Sequence, residues 1–258
     1  MNLLLDIGNS RIKWALSNDD DWTVGEPLLR EGKAFKDIAR PAWKTLDTPE
    51  RVIVSTVSGA DFEKSVRTWV KRRWKVDPEF LVAEESCCEV TNAYKTPTDL
   101  GADRWAALLA VHSLYSCPCC VIDCGTALTI DVLAVDGSHQ GGLIVPGLDL
   151  MVSSLTGAAD QISLETDSVE EISLMARDTA SAVKGGALYT TVAALDRICA
   201  DILGVMGREM RVIMTGGDVQ RVMPLLDLHT QPELIPDLVL RGLAVYSNQS
   251  IAESMEVV

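Results

Sequence analysis

Two stretches of the chain read as copies of one another: LLLDIGNSRIKWAL over residues 3–16 and CVIDCGTALTIDVL over residues 120–133. Each runs from an apolar strand to an aspartate, one further residue, a glycine and a small polar residue, then into a second strand-like segment. Recurrence every ~20 to 50 residues marks a solenoid or an array. A single recurrence half a chain away marks two related domains, expected here over residues 1–115 and 116–258. The shared element is a tight turn carrying a carboxylate, a device suited to holding a metal and a phosphate.

The net charge of −14, from 37 acidic against 23 basic residues, repels nucleic acid and anionic membrane, so neither is an expected partner. An anionic small substrate then needs local cations, glycine-loop amides or a bound metal. Apolar residues make up 47% of the chain and charged residues 23%, close to a globular average, which leaves material for a packed core. The opening MNLLLDIGNS has no basic leader and no small-residue cleavage site. No uncharged apolar run approaches the ~18 residues that span a bilayer, so a cytoplasmic protein is expected. Cys87, Cys88, Cys117, Cys119, Cys120, Cys124 and Cys199 match no paired C-x-x-C zinc spacing and have no histidine close in sequence. Reduced core thiols are the expectation, with a structural zinc site as the lesser alternative.

Residues 3–8 read as a buried strand, and the alternation from Arg11 to Leu16 reads as its half-buried hairpin partner. Polar sequence from Asn18 to Pro27 reads as loop, and Arg51 to Val57 as a third strand. In ADFEKSVRTWVKRRW, Phe62, Val66, Trp69 and Val70 share one helical face, while Lys64, Arg67, Lys71 and Arg72 make a solvated basic face. Phe80 to Ala83 reads as a short strand, and a helix begins near Gly101. The second half opens with a strand at Cys120 to Asp123, then one from Leu128 to Val135. Asp136-Gly137 is a hairpin turn leading to a strand at Gly141 to Val145. Helices follow at LDLMVSSL, over residues 181–203, and from Leu238 to Ile251, with a strand at Arg211 to Met214. Hairpins first and alternation with helices later give an α/β class.

Asp6 and Asp123 each end an apolar strand just before a turn. A carboxylate there costs several kcal/mol if buried unpaired. Each either caps its own turn or offsets a cation, and equivalent placement in both copies favours the second. Glycines at 8 and 125 permit positive φ and clear space for a ligand. Asn9, Ser10 and Thr126 add short donors, successive amides can form an anion nest, and Lys13 adds charge. Thr215-Gly216-Gly217-Asp218 either lets a flat ligand lie on backbone or is a plain strand-to-helix turn with Asp218 as N-cap. Asp103 is the candidate base: it stands in the first turn of a helix, where the macrodipole favours the carboxylate. Arg104 beside it suits an anionic group. Helix capping with a surface ion pair is the bland alternative. His112 falls on the apolar helix face and reads as a core or interface residue. No G-x-x-x-x-G-K-[ST] loop and no nucleophile elbow is present, which argues against a P-loop kinase and a serine hydrolase.

DIGNSRIKWA, LGADRW, DCGTALTIDV, GGLIVPG, RDTASAVKGG and TGGD, in this order over residues 6–218, resemble the type III pantothenate kinases, the family also described as Bvg accessory factors. That resemblance implies the actin-like, sugar-kinase and Hsp70-like fold: two ribonuclease H-like domains with an ATP cleft between them. It implies ATP-dependent phosphorylation of pantothenate to 4′-phosphopantothenate, the first committed step toward coenzyme A. By the same resemblance Asp6, Ile7, Gly8, Asn9, Ser10, Arg11, Ile12 and Lys13 wrap the phosphates, while Thr126, Gly216 and Gly217 also touch ATP. Asp123 binds potassium or ammonium, and magnesium accompanies ATP. Asp103 matches the catalytic base. Gly101, Ala102, Asp103 and Arg104 line the pantothenate pocket, with Tyr94 and Thr179 as further contacts, and a homodimer is implied.

Read from its surroundings alone, Tyr94 is equally a buried structural tyrosine, and Thr179 equally an N-cap. Many family members have threonine where this chain has Ser10, which keeps the hydroxyl. The acidic segment Glu165 to Glu171 reads as a solvated loop or lid. The rival functions are another kinase of the same fold acting on a different alcohol or acid, and a non-catalytic nucleotide-binding accessory protein.

Overall fold

The computed structural model describes residues 1–18, 21–158, 174–227 and 231–256, and the segment 165–171 therefore lies outside the described residues. The chain separates into two compact units, one of residues 1–116, 135–141 and 237–258, the other of residues 117–134 and 142–236. Among the described residues no helix is long and apolar enough to cross a membrane.

The first unit is built on β1 (Asn2–Ile7), β2 (Arg11–Ser17), β3 (Trp22–Val24), β4 (Leu28–Leu29), β5 (Val52–Thr56) and β6 (Glu79–Phe80). The sheet runs β3-β2-β1-β5-β6, with β4 also on β2. The strands β1 and β2 pair antiparallel with Asp6 opposite Lys13, whereas β1 and β5 pair parallel. Leu3, Leu5 and Ile7 are fully buried on one face of β1, as the period of two in a strand requires. They pack with helices α1 (Phe35–Ala42) and α2 (Ala60–Trp74), whose inward side chains include Phe35, Val66 and Val70, and with Trp43 just past α1. The basic face of α2 is solvated as expected: Arg67 and Lys71 pair with Asp77 at 2.7 and 2.9 Å on the surface.

The expectation of loop from Asn18 to Pro27 fails at β3, which sits at the sheet edge. Edge pairing with β2 needs only a few backbone bonds, so a strand forms there without an apolar pattern. After β6 come the small hairpin β7 (Ser86–Cys87) with β8 (Val90–Thr91), and then α3 (Ala102–Leu114).

The second unit repeats the plan. Its strands β9 (Cys119–Cys124), β10 (Ala127–Leu133), β11 (His139–Pro146), β12 (Arg211–Thr215) and β13 (Glu233–Leu234) run in the order β11-β10-β9-β12-β13. An antiparallel β9–β10 hairpin again adjoins a parallel neighbour, here β12 with Thr215 opposite Asp123. Both sheets thus place their copy of the aspartate on the first-laid central strand, between the hairpin and the parallel half. This is a duplicated ribonuclease H-like α/β architecture. Helices α4 (Leu148–Ala158), α5 (Thr179–Met206) and the short α6 (Val219–Val222) complete this unit. Gly137, at φ 82°, makes the turn between β10 and β11 that Asp136-Gly137 predicts.

The last helix, α7 (Leu238–Glu256), lies in the first unit. It packs on α3 so closely that a Cβ on Gly242 would overlap the backbone of Ala106. Glycine there lets two helix backbones approach. Substituting Gly242→Ala is expected to destabilise the protein by about 1 to 3 kcal/mol through overpacking, measured as a lowered midpoint in urea with an unchanged slope.

Four of the seven cysteines, Cys119, Cys120, Cys124 and Cys199, are buried, which agrees with core thiols. Burial pushes Cys119 and Cys124 up to about 12. The expectation does not extend to Cys87, Cys88 and Cys117, which are half-buried. Among the described residues no group of three or more His, Cys, Asp or Glu side chains is placed to hold a metal ion.

Candidate active site

The first glycine turn joins β1 to β2, and its backbone closes by the Gly8 amide donating to Arg11 O at 3.0 Å. Asp6, Ile7 and Ile12 are strand residues, and Asn9, Ser10 and Arg11 stand exposed at the bend. Lys13 lies across from Asp6 on the paired strand. Arg30, which the sequence patterns did not single out, fastens this turn. Its guanidinium donates to Gly8 O at 2.5 Å and to Ser58 Oγ at 2.7 Å, and stacks 3.9 Å over the Phe62 ring. Burial pulls its pKa below the usual arginine value. A cavity of about 430 Å³ opens here, lined by Asn9, Arg30, Ser58, Gly59 and Asp61 among others.

Also in the first unit, α3 begins at the N-cap Gly101, with Ala102 and Asp103 in its first turn. Asp103 is half-buried, and its Oδ1 accepts from the Arg104 amide at 2.7 Å. A Cβ on Gly101 would lie 2.7 Å from that same oxygen. The glycine therefore leaves the carboxylate uncovered on that side. Arg104 is not a surface residue: it is only 6% exposed. Its Nη1 donates to the Tyr94 hydroxyl at 2.8 Å and its guanidinium lies 5.5 Å from the Tyr94 ring centre. Tyr94 also stacks on His139, ring centres 6.0 Å apart and 16° from parallel. Sequence reasoning missed His139, since nothing in its neighbours marks it; the β10–β11 hairpin brings it there. His112, read as a core residue, is half-buried near the end of α3.

In the second unit the glycine turn differs. Asp123 is the next-to-last residue of β9, and the Gly125 amide donates to Ala127 O at 3.2 Å. Neither Gly8 nor Gly125 uses the positive φ that glycine permits: among the described residues the left-handed glycines are Gly32, Gly137, Gly141, Gly207 and Gly216. At Gly125 the need is space instead, because a Cβ would lie 3.3 Å from both Asp123 Oδ1 and Ala127 O.

The left-handed residue is Gly216, at φ 104°, and its Cβ would lie 2.5 Å from Asp123 Oδ1 and from the Cys124 carbonyl. Thr215, Gly216 and Gly217 thus run directly against the Asp123 turn, tied by the Asp218 amide donating to Cys124 O at 3.0 Å. Asp218 occupies the N-cap of α6 but makes no capping bond; its carboxylate takes Arg221 at 3.0 Å. Thr126 is exposed beside this turn.

Thr179 is the first residue of α5 and not its cap, a role taken by Asp178, whose carboxylate accepts from the Ser181 amide at 2.8 Å. It borders a groove of about 850 Å³ between α4 and α5, lined by Met151, Leu155, Val183 and Ala187 among others. Thr179 belongs to the second unit, whereas Tyr94 and Gly101 to Arg104 belong to the first.

The profile of the type III pantothenate kinase family matches residues 2–201. The chain is also 42% identical over 249 residues to a type III pantothenate kinase of Nitrosococcus oceani, covering 95% of this chain and 92% of that one. The chain belongs to the type III pantothenate kinases. A second relative of that name, from Nitrosospira multiformis, is 34% identical over 96% of this chain and 91% of its own. This kinase also shares its fold with a solved Baf-family protein of Campylobacter jejuni, at TM-score 0.55 and 18% identity over 97% of this chain and 99% of that one. The ethanolamine utilization protein EutJ of Carboxydothermus hydrogenoformans shares it at TM-score 0.52 and 11% identity, over 95% and 89%. As a pantothenate kinase the chain is an ATP-using transferase of coenzyme A biosynthesis, and the remaining question is which residues do the work.

Proposed function

We propose that the chain phosphorylates the primary hydroxyl of pantothenate with ATP in the cytoplasm, as a homodimer, giving 4′-phosphopantothenate. Asp103 is the general base. The observation that carries this assignment is its setting: a half-buried carboxylate at the start of α3, uncovered by Gly101, next to a buried arginine braced by Tyr94. A kinase acting on an alcohol needs such a group to orient the hydroxyl and accept its proton, while positioning and charge neutralisation lower most of the barrier. Arg104, kept in one orientation by the Tyr94 hydroxyl, is suited to the carboxylate of pantothenate. Gly101 and Ala102 line the same pocket.

The turn from Asp6 to Lys13 holds the phosphates. Exposed Asn9 and Ser10 supply short donors, Lys13 supplies charge, and Arg30 fixes the turn through Gly8 O. Thr126, Gly216 and Gly217 contact the nucleotide at the second turn.

Asp123 holds potassium or ammonium there. Its half-buried carboxylate, beside the exposed Thr126, is a hard oxygen donor of the kind that suits such a cation. A monovalent cation held there would offset phosphate charge, and magnesium would accompany the ATP. The alternative of an accessory protein without catalysis leaves a base at Asp103 unexplained.

Replacing Asp123→Ala is expected to abolish activation by potassium and to lower kcat/KM for ATP by at least the ~10- to 100-fold lost when a metal's supporting groups are removed, with melting little changed. Titrating potassium chloride against initial rate tests this, and a potassium response equal to that of the native chain would remove the cation from Asp123.

A further inference from the structure

Neighbouring side chains of a strand point to opposite faces, so two adjacent cysteines ordinarily keep their sulfurs apart. Cys87 and Cys88 do not: their Sγ atoms lie 3.3 Å from each other. The cause is the turn between β7 and β8. Its two central residues are Cys88 and Glu89, both in the left-handed region at φ 50° and 63°. A two-residue hairpin of this kind is normally made by Asn-Gly or Asp-Gly. A cysteine and a glutamate there are strained by about 1 to 3 kcal/mol each, and strain of this kind persists only where the surroundings hold it.

They do hold it. The turn is clamped from one side by the Thr91 amide donating to Gly137 O at 3.0 Å, with Glu89 O so close to Gly137 that a Cβ there would overlap it. At the base of the hairpin the Asn92 amide donates to Glu85 O at 2.9 Å, and its side chain donates to Glu84 O and Pro97 O. The Gln249 side chain of α7 reaches the Cys87 sulfur at 3.8 Å. Both cysteines are half-buried, whereas Cys119, Cys120, Cys124 and Cys199 are buried.

The geometry also limits what the pair can take. Adjacent Cα atoms stand ~3.8 Å apart, below the ~4.4 to 6.8 Å that a relaxed disulfide spans, so a direct sulfur–sulfur bond is strained and readily reduced. Zinc needs four ligands, and among the described residues no third cysteine, histidine or carboxylate joins the pair. A soft electrophilic atom that accepts two sulfurs at once suits it. We propose that Cys87 and Cys88 form a preorganised dithiol site for trivalent arsenicals. With an arsenoxide, two As–S bonds form and the As=O bond is lost. The oxygen departs as water with the two thiol protons, and no change of oxidation state is involved. Because the pair lies apart from Asp103 and from both glycine turns in sequence, this uptake does not rest on the kinase assignment.

Intact-mass measurement of the native full chain with one equivalent of phenylarsine oxide tests the proposal. One adduct per chain is expected, resistant to excess monothiol and reversed by a dithiol. Digestion should place it on the peptide carrying Cys87 and Cys88. Removing one sulfur in Cys88→Ser should weaken uptake roughly 10²- to 10⁴-fold, the effective-concentration gain of a linked second site, whereas Cys117→Ser should retain it. An adduct that survives Cys88→Ser, that maps to another cysteine, or that fails to form on the native chain overturns the proposal. The peptide map of the native chain decides the matter even if the serine variant folds poorly.

Discussion

Substituting Asp103→Asn lowers kcat by about 10²- to 10⁴-fold, the usual contribution of a positioned acid or base, while KM for pantothenate changes little. Asparagine keeps the volume of the side chain and an oxygen able to accept the Arg104 amide, a bond of 2.7 Å in the native chain. Arg104 keeps its hydroxyl partner on Tyr94, so the substrate end retains its shape. What is lost is the negative charge that aligns the alcohol and takes its proton. The helix macrodipole at the start of α3 favours a negative charge there, which asparagine does not supply. Steady-state kinetics separate the two parameters. A fall in stability with kcat preserved would mark Asp103 as a helix-start residue and nothing more.

Substituting Gly216→Val destabilises the second unit by roughly 2 to 6 kcal/mol, combining the ~1 to 3 kcal/mol of a left-handed φ with the ~1 to 3 kcal/mol of overpacking. At φ 104° a β-branched residue is strained whatever surrounds it. Here its Cβ would also lie 2.5 Å from the carbonyl carbon and oxygen of Cys124, backbone atoms that cannot rotate away. The β12 end would have to retreat from the Asp123 turn, breaking the Asp218 bond to Cys124 O. A urea midpoint well below that of the native chain, accompanied by loss of ATP binding, is the expected outcome. By contrast Gly8→Ala should be far milder in stability, since its Cβ would meet only Arg11 O at an ordinary 3.5 Å.

The features most legible in the sequence were those set by periodicity and local turn chemistry. The helix over residues 60–74 and the long helix around residues 181–203 are present because their apolar positions recur on one face. The repeat of carboxylate turns is present as two sheets of one strand order. Features set by distant packing were not legible. The edge strand β3 lies in polar sequence, and α1 carries Pro41 within it, so neither shows a pattern. Nothing local to residues 238–256 indicates that the last helix returns to the first unit; that follows from Gly242 fitting against Ala106. At the site, the loops and charges were visible, but their braces were not. Arg30 and His139 act through contacts 22 and 45 residues away in sequence, on Gly8 and Tyr94, and no spacing rule reports such pairs.

ADP release coupled to a spectroscopic readout, run with and without pantothenate and with and without potassium on the native chain and on Asp103→Asn, addresses the central claim most directly. The native chain should release ADP only when pantothenate is present, faster with potassium, and the Asp103→Asn chain should bind ATP yet turn over about 10²- to 10⁴-fold more slowly. A native chain with no pantothenate-dependent turnover, or an Asp103→Asn chain as active as the native one, would contradict it.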